Sequence, residues 1–292
     1  MKKKILLVGG CGFIGHNLAI SLKKKSHEVI ILDSLSINNL KSLDISDIKN
    51  KNLYKSILNN RIDLIKKNTI DLIIEDARSN NIISKIFKKI NPDIIIHLAA
   101  VSHANKSNKD PHTTFDHSLR TLENSLDFIK NTKKHIIYLS SSMVYGNFDG
   151  KEVDEKTLCK PIGIYGTLKL SGEQIIKAYS KVFDFPYTII RPSALYGERC
   201  VSRRVGQIFL ENAIQGFDID INGNGEEKLD FTYIEDLVNG IILCCENDKA
   251  KNETFNLTFG RARKINELVH ILKKEFPSIN VNYKDREKFT PE

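Results

Sequence analysis

The sequence has no long hydrophobic run. No apolar stretch approaches the ~20 residues that a membrane-spanning helix needs, which argues against a membrane protein. At the N-terminus, Lys2 to Lys4 precede the apolar run Ile5 to Val8, which ends at Gly9. This run is shorter than the roughly 7 to 15 residues of a signal-peptide core. We therefore expect it to be the first strand of a cytoplasmic protein without a membrane partner.

Cysteines are also few. The chain has five, an odd number, and they are widely scattered without the CxxC spacing that would indicate a zinc site or a redox pair. We expect thiols in a reducing compartment rather than a disulfide framework. The five are Cys11, Cys159, Cys200, Cys244 and Cys245.

The basic excess of the chain lacks the form of a nucleic-acid-binding surface. There are 44 Lys and Arg against 36 Asp and Glu, which gives a net charge of +8. The lysines are spread along the chain, and no basic patch is interleaved with aromatic residues. We therefore predict no nucleic-acid partner, whereas an anionic small substrate is compatible with this charge. With 292 residues, of which 41% are hydrophobic, the chain can bury a large core as one domain or two joined lobes.

Short β-branched runs alternate with longer amphipathic stretches over the first 190 residues. Continuous apolar strands between helical patterns predict a parallel sheet that is covered by helices on both faces. The predicted strands are Ile5 to Val8, Val29 to Leu32, Asp71 to Ile74, Asp93 to Leu98, His135 to Leu139 and Tyr187 to Ile190. The predicted helices include Leu18 to Lys24, Ile82 to Lys89 and Thr114 to Ile129.

After Arg191 the alternation loosens. A helical pattern at Gln207 to Ile214, a glycine-rich turn at Gly223 to Gly225 and a helical pattern at Glu235 to Glu246 predict a smaller lobe over the carboxyl edge of the sheet. The predicted fold is α/β, a doubly wound parallel (Rossmann) sheet with a smaller C-terminal substrate-binding lobe. The first domain would span 1–190 with a return segment at 230–260, and the lobe 191–229 and 261–292. Because no closing helix is evident, we expect a truncated C-terminus.

The segment 9–15, GGCGFIG, follows the first strand directly and opens the first helix. Glycines there permit a tight turn and let the backbone approach a pyrophosphate on the helix N-terminus. Asp33 ends the second strand, 18 residues after Gly15, where a carboxylate would bind a ribose 2′-hydroxyl. Its charge would repel the 2′-phosphate of NADP, and no arginine follows it closely, so NAD is the predicted cofactor. The alternative is a turn that merely packs helix on sheet.

Tyr165 and Lys169 form a YxxxK pair on one face of a predicted helix. A phenol with a pKa of about 10 is a poor base at neutral pH, but a nearby ammonium stabilises the phenolate and lowers that pKa. Ser140 to Ser142 come just after the fifth strand, at the sheet edge where they could complete the site. These residues predict an acid–base site, with a solvated helix face as the alternative.

Eight segments carry a family resemblance: GGCGFIG (9–15), DS (33–34), EDAR (75–78), HLAA (97–100), SSSMVYG (140–146), YGTLK (165–169), RPSALYG (191–197) and LDFTYIEDL (229–237). In order and spacing together, they resemble the extended short-chain dehydrogenases, the NAD-dependent epimerase/dehydratase family that acts on nucleotide sugars. The similarity runs through essentially the whole chain. It implies hydride transfer from a sugar carbon, usually C4, to the nicotinamide, which gives a keto intermediate.

The resemblance also implies roles for single residues. Tyr165 would deprotonate the substrate hydroxyl that Ser141 hydrogen-bonds, and Lys169 would also bind the nicotinamide ribose. The implied cofactor-binding residues are Gly9, Gly12, Phe13, Ile14, Gly15, Asp33, Ser34, Asp76, Ala77, Leu98, Ala99, Ala100 and Pro192, together with Tyr165 and Lys169. The residues predicted to contact the substrate are Ser102, His103, Ser142, Met143 and Ala194, and also Arg199, Arg203 and Arg204, which are predicted from departures from the family pattern.

Departures from the family pattern bear on the fate of the ketone. Dehydratases usually follow the catalytic Thr with Asp and Glu, but here Ser142 and Met143 stand there and cannot remove water. A 4,6-dehydratase is therefore less favoured. The pair Ser102 and His103 resembles a dehydratase substrate loop, so this alternative stays open.

Two further departures concern the substrate diphosphate. Ala194 replaces the Asn of the RPxN pattern, and Leu229 replaces the Arg before the later DF. Because guanidinium groups suit diphosphates, a cluster of arginines is the expected substitute. The alternative is a solvated helix start. The cluster comprises Arg199, Arg203 and Arg204.

We therefore predict an NAD-dependent nucleotide-sugar epimerase that acts at C4 through a transient 4-keto intermediate, with a role in polysaccharide biosynthesis. A nucleotide-sugar 4-dehydrogenase or 4,6-dehydratase is the alternative, and a catalytically silent NAD-binding scaffold or sensor is the second. No metal is predicted, because four neighbouring histidines match no helical HxxxH pair. They are His97, His103, His112 and His117.

An apolar face recurs from Phe115 to Ile129 at spacings of four and three. Packing on the sheet would explain it. The family resemblance implies that this helix and the helix of Tyr165 pair with their copies in a second subunit as a four-helix bundle. We therefore expect a homodimer.

Overall fold

The computed structural model describes residues 1–37, 39–44, 49–101, 104–148, 152–201 and 204–285. Its strands, in chain order, are β1 (Lys4–Val8), β2 (Glu28–Leu32), β3 (Asp71–Ile73), β4 (Ile94–His97), β5 (His135–Leu139), β6 (Tyr187–Pro192), β7 (Leu195–Tyr196), β8 (Ile219–Asn222), β9 (Lys228–Leu229), β10 (Thr232–Tyr233), β11 (Glu253–Leu257), β12 (Arg263–Lys264) and β13 (Val281–Lys284).

The helices alternate with the strands of the first 190 residues. In chain order they are α1 (Phe13–Lys24), α2 (Leu40–Asp44), α3 (Lys51–Lys67), α4 (Asn80–Ile90), α5 (Ala104–Lys109), α6 (Pro111–Phe115), α7 (Thr121–Ile129), α8 (Ile164–Phe183), α9 (Val205–Ile214), α10 (Ile234–Glu246) and α11 (Ile265–Glu275). A π-helical turn, Asp116–Arg120, joins α6 to α7. No helix in the described ranges is long and apolar enough to cross a membrane.

Within the described residues, seven parallel strands form the central sheet in the order β11-β6-β5-β4-β1-β2-β3. The chain starts in the middle with β1, moves outward to β3 and then returns to the other side through β4. The strand order therefore reverses between β1 and β4, and ligands of such sheets bind in the crevice at that point. This confirms the predicted doubly wound α/β fold.

Alternate residues of each strand enter different cores. Ile5 and Leu7 of β1 pack in the core that contains residues of α1 and α10. Leu6 and Val8 pack on the opposite face, with residues of α4, α7 and α8. The sheet is thus buried on both faces, which explains why its strands are continuous apolar runs rather than alternating ones.

The six predicted strands are present, and His135 to Leu139 has the predicted bounds. The sequence pattern does not predict β11, which lies parallel to β6 at the edge of the sheet. It also does not predict α3. The inward positions of that helix are Tyr54, Leu58, Arg61 and Ile65, so an arginine interrupts its apolar stripe.

The later part of the chain has a core of its own. It includes Phe209 of α9 and Val269 of α11, together with residues of the β8 and β13 pair. These elements fall within 191–229 and 261–292. That this unit binds the substrate, and that 1–190 with 230–260 binds the cofactor, stay predictions.

Candidate active site

A pocket lies at the carboxyl ends of β1 and β4, where the strand order reverses. It brings together residues from the turns after β1, β2, β3 and β4. Of the residues predicted to bind the cofactor, those that line it are Gly9, Gly12, Phe13, Ile14, Gly15, Asp33, Ser34, Asp76, Ala77, Leu98, Ala99 and Ala100. Three others that were predicted to bind the cofactor do not line this pocket: Pro192, the last residue of β6, and Tyr165 and Lys169 of α8.

The glycine-rich turn is packed tightly on one side and open on the other. Gly9 has φ +82°, and a Cβ there would lie 2.7 Å from the Ala99 nitrogen. At Gly15 a Cβ would lie 2.4 Å from the Gly10 oxygen. At Gly12, the N-cap of α1, a Cβ would meet only the Gly9 oxygen at 3.5 Å and would fill space in front of the helix. The turn therefore leaves room for a ligand at the N-terminus of α1.

Asp33 lies in the pocket with its carboxylate held by the backbone. It accepts hydrogen bonds from the Cys11 N–H at 2.8 Å and the Leu35 N–H at 2.7 Å. Burial raises the pKa of Asp33, and these hydrogen bonds and the nearby Arg61 oppose the rise. Sequence reasoning missed Arg61, because it comes from the unpredicted helix α3. Its side chain lines the same pocket.

The three residues predicted to be catalytic come together beside the carboxyl end of β5. The Ser141 hydroxyl lies close enough to the Tyr165 hydroxyl to lower its pKa. The Lys169 Nζ lies 6.0 Å from the centroid of the Tyr165 ring and 5.0 Å from that of Tyr138, and it donates to the Leu139 oxygen. All three side chains are buried: the exposed fractions are 8% for Ser141 and Tyr165 and 4% for Lys169.

Burial dominates the electrostatics of this trio. It lowers the pKa of Lys169 to about 8, while Glu173 acts in the opposite direction. It raises the pKa of Tyr165, and the charge of Arg204 and the Ser141 side chain oppose that rise. Arg204 is thus a cation that favours the phenolate. The same role for Lys169 stays a prediction.

A buried ion pair between α8 and β6 lies next to the trio. Arg191 donates through Nε at 2.9 Å and Nη2 at 2.6 Å to the Glu173 carboxylate, and the side chains are 4% and 0% exposed. The Ser140 hydroxyl donates to the same carboxylate at 2.5 Å. Arg191 also donates to the Tyr145 hydroxyl at 2.8 Å. The ends of β5 and β6 are therefore fixed to α8, one helical turn after Lys169.

The side of the pocket at Asp76 and Ala77 contains a second group that the sequence pattern does not reveal. His117 lies in the π-helical turn and lines the pocket, and burial lowers its pKa. Arg78 bridges Asp76 and Asp116, with 2.7 Å to each carboxylate. The π turn has no sequence signature that periodicity could detect, so the position of His117 could not be predicted.

The residues predicted to contact the substrate are dispersed. Arg204 lines the pocket, whereas the Arg199 guanidinium contacts His16, Asn17 and Glu198. Ser142 and Met143 form a 3-10 turn directly after Ser141, and the Ala194 oxygen accepts from the Thr232 N–H at 3.3 Å. Ser102, His103 and Arg203 lie outside the described residues. Substrate contact stays a prediction for all of them.

The sequence of the chain is similar to those of known proteins. The profile of the NAD dependent epimerase/dehydratase family matches residues 5–258. A putative UDP-glucose 4-epimerase of Methanocaldococcus jannaschii is 28% identical over 277 residues, which are 93% of this chain and 82% of that protein. A dTDP-D-glucose 4,6-dehydratase of Dictyostelium discoideum is 28% identical over 250 residues, which are 81% of this chain and 54% of that protein.

The chain is also similar to solved structures. One is the UDP-glucuronic acid 4-epimerase from Bacillus cereus, crystallised in complex with UDP-glucuronic acid and NAD. The TM-score is 0.82 and the identity 27%, and the match covers 98% of this chain and 87% of that one.

Proposed function

Because the chain belongs to the NAD-dependent epimerase/dehydratase family, which it matches over residues 5–258, we propose that it is an NAD-dependent epimerase that inverts C4 of a nucleotide sugar. One observation carries this proposal. Ser141, Tyr165 and Lys169 are neighbours, and they lie at the same sheet edge as the pocket of the glycine-rich turn.

The pocket fits a dinucleotide. The open space in front of Gly12 suits a pyrophosphate on the N-terminus of α1, where the backbone N–H groups point toward it. Asp33 would bind the adenosine ribose, and Asp76 and Ala77 would flank the adenine. NAD bound there would supply the hydride acceptor and donor for the sugar carbon.

The protein's own part is to move a proton. Tyr165 takes the proton of the C4 hydroxyl as the hydride leaves the carbon, while Ser141 hydrogen-bonds that hydroxyl and orients it. Lys169, held by the Leu139 oxygen, keeps a positive charge behind the phenol ring. Once the keto sugar has turned in the site, Tyr165 would return the proton to the C4 oxygen.

The alternatives differ in the fate of the ketone. Ser142 and Met143 occupy the turn after Ser141, and neither side chain can act as acid or base for the loss of water. This disfavours dehydration and leaves return of the hydride as the simplest outcome. A dehydrogenase would release the ketone, and a scaffold would bind NAD without turnover.

The experiment uses the purified protein with a panel of UDP-sugars, because UDP-sugars are the substrates in the names of the related epimerases. Mass spectrometry first identifies the cofactor that the protein retains. We expect interconversion of a pair of C4 epimers without net NADH. Stoichiometric NADH would indicate a dehydrogenase, a 4-keto-6-deoxy product a dehydratase, and NAD binding without turnover a scaffold.

The assembly belongs to this proposal as well. We propose a cytoplasmic homodimer, with a role in polysaccharide biosynthesis, in which α8 and the helix at 111–129 pair with their copies. Its support is the family resemblance and the exposure of Phe115 and Val182 on these helices, which are 54% and 72% exposed. Leu122 and Leu126 give no support to the dimer, because they are buried against the sheet. Light scattering during gel filtration tests it, with twice the monomer mass expected.

A further inference from the structure

The segment 195–201, here named the strap, crosses from the end of β6 to the cofactor pocket. Leu195 and Val201 both line that pocket. Val201 also packs against the small core of Leu43, Tyr54 and Leu58, which belongs to α2 and α3. The strap therefore forms a wall of the pocket and is docked on elements of the first domain.

The side chain of Arg199 fixes the middle of the strap to α1. Its Nε donates to the His16 Nε2 at 3.1 Å, and its Nη2 donates to the Asn17 Oδ1 at 3.2 Å. A guanidinium can only donate, so the His16 Nε2 must accept and its proton must be on Nδ1. That Nδ1–H donates to the Gly12 oxygen at 2.9 Å. Arg199 is thus linked through one imidazole to the glycine-rich turn.

The backbone of Arg199 is held from the opposite side. Arg61, which is 2% exposed, donates through Nε at 3.1 Å and through Nη2 to the Arg199 oxygen. Arg199 has φ +63°, a left-handed conformation that costs energy for an arginine. Such strain persists where surrounding bonds determine the conformation, and it is found at ligand clamps.

The charges of this arrangement favour an anionic ligand. Burial lowers the pKa of Arg61 to about 10, and the charge of Arg199 acts in the same direction. Arg61 also lines the pocket beside Asp33. A dinucleotide pyrophosphate in the pocket would compensate the charge of Arg61, which holds the backbone of the strap, whereas Arg199 is already paired with Glu198 at 3.1 Å. The ligand and the closed strap would therefore stabilise each other, since such coupling is reciprocal.

We propose that His16, Arg61 and Arg199 form a clasp that holds the strap closed over the dinucleotide and retains NAD between turnovers. The proposal rests on the proposed function, in which the hydride returns to the sugar and the cofactor has no need to leave. The clasp residues are positioning residues, because none of them is part of the trio Ser141, Tyr165 and Lys169.

The test compares the rate at which NAD is lost from the wild-type protein and from Arg199→Met, after gel filtration and dilution, with bound NAD measured by mass spectrometry. Loss of the two bonds from a charged donor should speed NAD release by about tenfold. Arg263→Met is the matched control, because Arg263 is an exposed arginine that pairs with Glu267. It should lose NAD at the wild-type rate.

Asn17→Ala is the second variant, for use if Arg199→Met does not fold. It removes one of the two hydrogen bonds that the Arg199 side chain donates to α1, and it should speed NAD release by about threefold. Equal release rates in wild type and the folded clasp variant would overturn the clasp. Wild-type retention of NAD without turnover of any nucleotide sugar would instead overturn the proposed function, and faster release from the variants would still support the clasp.

Discussion

At the scale of single residues, the proposed chemistry depends on the Tyr165 hydroxyl. Tyr165→Phe removes the acid–base group and leaves the ring, its packing and Lys169 in place. Loss of a positioned acid–base group should reduce kcat by about 10³-fold. Bound NAD should remain at the wild-type level, which shows that the site is intact. Tyr283→Phe is the control, because Tyr283 is 56% exposed in the last strand, and near-wild-type activity of Tyr165→Phe would contradict the mechanism.

Arg204 should determine the pH at which kcat falls on the acidic side of its pH profile. Its positive charge opposes the burial that raises the pKa of Tyr165. Without that charge the phenol is harder to ionise, so Arg204→Gln should move the acidic limb of kcat to higher pH. Arg204→Lys keeps the charge and should restore the wild-type limb. Identical limbs in wild type and Arg204→Gln would exclude this role.

At the scale of secondary structure elements, α8 is anchored to the sheet by the buried pair of Glu173 and Arg191. Glu173→Gln removes the carboxylate charge and leaves the guanidinium buried. We expect it to lower the free energy of unfolding by about 3 kcal/mol, as measured by urea denaturation. Glu123→Gln removes an acid from the exposed pair with Arg120 and should change it by less than about 1 kcal/mol. Equal effects would contradict the importance of burial.

The elements also show what the sequence can predict. The strands from β1 to β6 are recognisable because each is a short apolar run, and all but the edge strand β3 are largely buried. The glycine-rich turn can be predicted because it lies within one short motif. The trio can be predicted because Ser141 lies in one short motif and Tyr165 and Lys169 lie together in another. Neither Arg61 nor the π turn of His117 could be predicted. Arg61 has a polar side chain at a core position, and its contact with Arg199 spans 138 residues of sequence.

At the scale of the whole molecule, buried histidines should make stability depend on pH. Burial lowers the pKa of His16 and His97 to about 3 and that of His135 to about 4. Above about pH 6.5 neither the folded nor the unfolded chain carries these protons. Below it only the unfolded chain takes them up, so stability falls as the pH falls. Asp33, whose pKa is raised, acts in the opposite direction.

Uptake of three histidine protons on unfolding corresponds to a loss of about 4 kcal/mol per pH unit between roughly pH 6 and 5, and Asp33 makes this loss smaller. Urea denaturation at pH 7, 6 and 5 measures this. His135→Gln should reduce the slope, whereas His270→Gln, at an exposed position, should leave it unchanged. A stability that is constant between pH 7 and 5 would contradict the assignment of neutral buried histidines.

The central claim is that the hydride taken from C4 returns to the same carbon on the opposite face. A UDP-sugar labelled with deuterium at C4 tests it most directly, with the product analysed by NMR and mass spectrometry. We predict that the C4 epimer retains the deuterium at C4 and that no reduced cofactor accumulates. A product without deuterium, or one equivalent of deuterated NADH with a released ketone, would contradict it.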